Sequence, residues 1–175
     1  LQSLFIGEES GQALFDTMLL QVLQLTGSQY GFVYSLEAAD DGQPFLNAFS
    51  ISNIALDEES RAYHDKMAPG GMQIYDFHSL FGPAVKNGEV VISNCQSDNS
   101  RRKGMPEGHP KIDTFLAVPL KHEGYIIGVI AMANREVGYS KDIVKELDPV
   151  WMTCAQLVHA YKNKEEKIKT DNELK

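Results

Sequence analysis

Cysteine is scarce: Cys95 and Cys154 are the only two among 175 residues. Two thiols build neither a disulfide framework nor a zinc site, so they read as reduced core residues of a cytoplasmic protein. A basic surplus is also missing. Lysine and arginine number 16 against 24 acids, a formal net charge of −8, which excludes a general nucleic-acid surface. No apolar run approaches the ~20 residues of a membrane span, no basic helix suits a membrane surface, and no secretory signal pattern is present. His64, His78, His109, His122 and His159 lack helical metal-ligand spacing, which argues against a catalytic zinc or iron site. Neither a Ser/His/Asp set nor a pair of carboxylates falls on suitable loops, so no enzyme is read in the chain. Repeats and low-complexity segments are absent as well.

What remains is an ordinary globular chain, 43% hydrophobic and 23% charged, long enough for one domain. It begins at Leu1 and stops inside a charged helical pattern, so we expect a module cut from a longer protein. Residues 10–26 carry Leu14, Phe15, Met18, Leu19, Val22, Leu23 and Leu25 at helical spacing, closed by Gly27. Two strands follow, "YGFVYSLE" and "FLNAFSIS", joined through "ADDGQP". "DEESRAYHDKM" suits a polar surface helix. "SLFGPAVKNG" reads as a short helix with Ser79 as N-cap, Pro83 in its early turns and Gly88 at its exit. "EVVISNC", "TFLAVPL" and "YIIGVIAMANR" are three further strands, and a helical remainder is opened by Ser140. Asp148 and Pro149 mark a cap and a first-turn proline where that helix begins or kinks. The order predicts an α+β fold with an antiparallel sheet of five to six strands and helices packed on it.

Four blocks in this order, "LFGPAVKNGEVVISN", "PEGHPKIDTFLAVPL", "GVIAMANREVGYSKDI" and the closing helix, resemble the GAF family of small-molecule sensor domains. The resemblance runs from Ala13 to Tyr161. It implies terminal helices on one face of the sheet and a ligand pocket on the other, roofed by the short helix and by residues 94–110. In that roof Gly104, Pro106, Gly108 and Pro110 would fix the path, with His109 held extended by the proline after it.

The roof also carries "SDNSRRKG". Arg101, Arg102 and Lys103 are consecutive cations in an acidic chain, just after Asp98. Arginine grips phosphate through paired hydrogen bonds, and a helix start at Ser79 would add free backbone N–H groups. "ANREVGYSKD" resembles a degenerate form of the Asn-Lys…Phe…Asp-Glu signature of cyclic-nucleotide-binding members. Asn134 matches the Asn, Arg135 replaces Lys, Tyr139 replaces Phe, and Asp142 sits near the acidic position, with Ile143 where the last acid would be. The resemblance implies a brace behind the pocket, with Arg135 paired to Asp142. Phe32 and Tyr34 on the first strand, Phe49 and Ile51 on the second, and Phe77 before the short helix are candidate floor residues, and His78 beside Phe77 is a candidate ligand contact. Asp113 and Thr114 are candidates to read a base edge. Bilin-binding members need a cysteine in or near the roof, where "EGHP" has no thiol and Cys95 ends the preceding strand, and methionine-sulfoxide-reducing members use several loop cysteines that this chain lacks. Heme would need an axial ligand, for which His109 and His78 are the candidates.

In the final helix Leu147, Cys154, Tyr161 and Ile168 recur every seven residues, with Val150, Leu157 and Val158 between them. We therefore expect a sensor domain over 1–161 and the start of a signalling helix over 162–175. The expected function is a regulatory domain, itself no enzyme, that binds cyclic AMP or cyclic GMP and controls an output such as a diguanylate cyclase or histidine kinase. A homodimer through the first and last helices is expected, with no covalent cofactor, no nucleic acid and no membrane contact. The alternatives are a heme or other redox-cofactor sensor, and a ligand-free dimerisation module.

Overall fold

The computed structural model describes residues 8–52, 62, 73–94 and 111–175. The polar helix expected from "DEESRAYHDKM", Cys95, and the roof residues Asp98, Arg101, Arg102 and His109 lie outside the described residues. Helix α1 spans Glu8–Thr26, and its stripe of Leu14, Phe15, Met18, Leu19, Val22 and Leu23 is buried. Gly27, at φ 66°, ends it in the left-handed region that a side chain disfavours. Strands β1 (Tyr30–Ala38), β2 (Pro44–Ile51), β3 (Gln73–Ile74), β4 (Val91–Ser93), β5 (Phe115–His122) and β6 (Tyr125–Ala133) form one sheet in the order β3-β2-β1-β6-β5-β4. All its pairings are antiparallel, as the expected fold class required. The two-residue β3 is an addition to the sequence reading, and β4 is shorter than "EVVISNC" suggests.

Helix α2 (Gly82–Asn87) packs on one face of the sheet, and α1 and α4 (Asp148–Glu173) cover the other. The short α3 (Lys141–Glu146) leads into α4, with Ser140 capping it by accepting from Ile143 N–H. Pro149 lies in the first turn of α4 as expected, but the N-cap is Leu147, not Asp148. Trp151, Cys154, Ala155 and Val158 then bury one stripe of α4 beside α1, at the i, i+3, i+4, i+7 spacing of a helix face. Burial pushes the Cys154 thiol up to about 12.

Two corrections to the sequence reading arise on this covered face. Strict alternation puts Phe49 beside Ile51 on the floor opposite the helices. A bulge intervenes: Val33 pairs with Ser50 while Tyr34 pairs with Ala48, leaving Phe49 as the extra residue. Ala48 and Ile51 thereby keep to the far face. Phe49 turns to the helices and packs on Phe15 with ring centres 4.7 Å apart. Tyr161 closes that cluster, 5.2 Å from both rings, and a Cβ at Gly11 would sit 2.3 Å from its ring. The heptad position at Tyr161 is therefore taken up by the domain's own core. Two residues before it the His159 ring stacks on His122 at 3.6 Å, and beyond it α4 continues unbroken, with Lys162 donating to Leu36 O and lying 3.6 Å from Glu37.

Candidate ligand-binding site

The face opposite α1 and α4 carries a second cluster of different character. Strand β1 gives it Tyr30, Phe32, Tyr34 and Leu36, while β5 and β6 give Phe115 with the small residues Ala117, Val129, Ala131 and Ala133. Over this floor runs the segment leading into α2, from which Phe77, Leu80 and Phe81 pack down. Phe32 packs on Tyr34 with ring centres 4.3 Å apart and planes tilted by 33°, and meets Phe81 edge-on at 5.4 Å. Tyr34 is fully buried, whereas Phe32 and Phe77 are half-buried. Gly82 is required here, because a Cβ would meet Phe77 O at 1.9 Å.

Ser79 was expected to cap the short helix, and it does not. The N-cap is Phe81 and no side chain caps the end. A proline belongs in the first helical turn, so Pro83 sets the start at Gly82 and leaves Ser79 outside. Its carbonyl accepts from Gly82 N–H at 3.0 Å, but its hydroxyl is buried with no hydrogen-bond partner among the described residues. Asp113 Oδ1 is buried without a hydrogen bond of its own, but the Lys111 ammonium stands 3.0 Å away. His78 is exposed, and its backbone N–H donates to the Asp76 carboxylate at 2.9 Å.

The turn after β6 holds the edge of this face. Asn134, at φ 60°, accepts from Asp113 N–H at 2.8 Å and Thr114 N–H at 3.4 Å, and donates to Lys111 O at 2.8 Å. Thr114 commits its hydroxyl proton to Arg135 O at 3.0 Å. Tyr30 donates to Lys111 O at 2.8 Å, and burial, with Asp113 nearby, raises its pKa above the usual phenol value. The brace differs from expectation. Arg135 donates to Thr26 O and Gly138 O, tying the end of α1 to the turn. Among the described residues no ion pair joins it to Asp142, which is exposed in the first turn of α3. Backbone carbonyls replace the carboxylate because Arg135 lies between the end of α1 and the turn, short of α3.

Sequence reasoning missed Phe81, Tyr30 and Asn94. Phe81 sits at a helix start that Pro83 alone could have located. Asn94 donates to Tyr139 O and accepts from Tyr139 N–H, contacts 45 residues apart that leave no local signal.

The sequence matches the GAF domain family over residues 8–159. Among solved structures it is similar to the GAF domain of a phosphoenolpyruvate-protein phosphotransferase from Coxiella burnetii, at 10% identity and TM-score 0.69 over 94% of this chain and 91% of that one. The corresponding Acinetobacter domain shows 18% identity and TM-score 0.64, covering 92% and 89% of the two chains. A type II free methionine-R-sulfoxide reductase from Thermoplasma acidophilum follows at 17% identity and TM-score 0.63, covering 87% and 94%. No curated protein sequence matches the chain. No described helix is long and apolar enough to cross a membrane.

Proposed function

Because the chain belongs to the GAF domain family, regulatory sensor domains of signalling proteins, we propose that the sheet face under α2 holds a small anionic ligand, cyclic AMP or cyclic GMP. The observation that carries this reading is the Ser79 hydroxyl, buried and unpartnered beside an aromatic floor. A buried polar group without a partner is destabilising, and a bound ligand is a ready source for the missing hydrogen bond. Half-buried Phe32 and Phe77 offer π faces to a purine, at ~1–3 kcal/mol per stacked base. Arg101, Arg102 and His109 would take the phosphate side. Asp113 and Thr114 keep acceptor oxygens for a base edge, since Thr114 uses only its proton on Arg135.

Ligand binding would favour one arrangement of the terminal helices over another and so control an output domain such as a diguanylate cyclase or histidine kinase. Residues 162–175 extend α4 as the start of that signalling helix in a cytoplasmic protein. A homodimer would join through the helices. Leu20 and Leu25 on α1, and Met152 and Ile168 on α4, are exposed apolar residues available to a second copy. Since Tyr161 is core, substituting Glu at Met152 and Ile168 is the informative change. Sedimentation of the parent as a monomer at tens of micromolar rejects the dimer. For the ligand, denaturing purified protein and identifying what is released by mass spectrometry tests the reading. A cyclic nucleotide supports it. Heme absorption, or a preparation that binds neither nucleotide in calorimetry, replaces it with another sensor class or the ligand-free module.

A further inference from the structure

Asn94 and Lys111 stand on either side of residues 95–110, and both are fixed to one short turn, 134–139. At the first flank the Asn94 carboxamide donates to Tyr139 O at 2.7 Å and accepts from Tyr139 N–H at 2.8 Å, like a rung of a β ladder. Gly138 leaves room for it: at φ 74°, a Cβ there would lie 2.8 Å from Asn94 Oδ1. At the other flank Asn134 binds Lys111, Asp113 and Thr114, and Thr114 returns a bond to Arg135.

The same turn is wired to the helices. Arg135 Nε donates to Thr26 O at 2.8 Å, in the last turn of α1. The Tyr139 hydroxyl meets Ser28 Oγ at 2.7 Å, Ser28 meets Thr26 Oγ1 at 2.7 Å, and Thr26 donates to Val22 O at 2.8 Å. Tyr139 and Thr26 are buried, so no water competes freely for these bonds. Ser140, the next residue, caps α3 and leads to α4.

We infer that the turn 134–139 is the coupling element of the domain: Asn94 and Asn134 fasten the flanks of residues 95–110 to it, Arg135 and Tyr139 fasten it to the end of α1, and Ser140, the residue after it, carries it into α3. A shift at either flank then has to move the turn, and with it both helix ends: Asn94 and Asn134 each hold their flank by two or more hydrogen bonds, Arg135 holds α1 through a charged donor, and Tyr139 adds a buried hydroxyl bond to Ser28. The coupling rests on the sensor reading for its use, but it is a property of the unliganded chain.

Residue-resolved amide exchange on unliganded Asn94→Asp provides the test. The change keeps the shape and the acceptor for Tyr139 N–H but sets a carboxylate oxygen against Tyr139 O. Exchange should accelerate about tenfold or more at Tyr139, at Gly27 and Ser28 beyond α1, and at Ile143 and Val144 in α3, with residues 151–158 unchanged. Acceleration confined to residues 92–96 and 138–139, or spread uniformly over the chain, overturns the inference. Should that variant fail to fold, Thr26→Val approaches from the other end. By reciprocity it should accelerate exchange at Asp113 and Thr114, and unchanged rates there overturn the inference equally. No ligand enters either measurement, so failure here leaves the reading of the ligand face standing.

Discussion

The two faces of the sheet use similar amounts of apolar side chain to opposite ends. Under α1 and α4, the residues Phe15, Leu19, Ile130 and Val158 are almost wholly buried, and Phe49 and Tyr161 pack edge to face. The polar groups there are matched: Ser50 bonds Asp16, Ser35 bonds Glu37, and Lys162 reaches Leu36 O. On the far face the aromatics Phe32 and Phe77 are left half-buried, and the Ser79 hydroxyl has no partner among the described residues. One face is finished by the chain itself. The other has chemistry left over, which is what a receptor face requires.

Substitutions should separate the faces by both size and sign. The largest loss is expected from Phe15→Ala, at about 3–5 kcal/mol, because its ring joins Phe49 and Tyr161 in a closed core. Urea denaturation checks it, and a loss no greater than that of Phe32→Ala would erase the distinction. Arg135→Ala should cost about 2 kcal/mol by stranding the carbonyls of Thr26 and Gly138. The same denaturation series reads it.

Alkaline pH sharpens the comparison from the covered side. The Cys154 thiol is raised from 9.0 to about 12, so above pH 9 the unfolded chain releases a proton that the native chain retains. Stability from this group is whole below pH 9 and falls as pH rises toward 12, by at most about 1.4 kcal/mol per pH unit. Tyr30 and Tyr139, also raised by burial, act in the same direction above their usual range. Cys154→Ala should flatten the melting temperature between pH 9 and 10 relative to the parent.

A smaller effect of opposite sign belongs to the face under α2. Ser79→Ala removes an unsatisfied hydroxyl, so stability should stay level or rise by up to ~1 kcal/mol while ligand affinity falls. Least of all, Asp142→Ala should stay within ~0.5 kcal/mol, as suits an exposed carboxylate that Arg135 does not use. A melting curve as low as that of Arg135→Ala would restore the Arg135–Asp142 brace.

Most of the fold was legible because periodicity reports burial. The stripes of α1 and α4, the runs of β1, β5 and β6, and the signals at Pro149 and Gly88 each follow from local chemistry. The site was less so. Phe49 changed faces through a bulge that alternation cannot reveal, and Pro83 moved the start of α2 away from Ser79. Arg135 and Asn94 found backbone partners far along the chain, which a reading by motif assigns to side chains nearby.

The claim that stability and ligand contact reside on opposite faces is tested most directly by calorimetric titration of the parent and Ser79→Ala with cyclic AMP and cyclic GMP, at matched thermal stability. Heat of binding for one nucleotide in the parent, weakened about tenfold or more in a variant that melts no lower, is the predicted result. Equal affinity in both proteins, or no binding in the parent, contradicts the account.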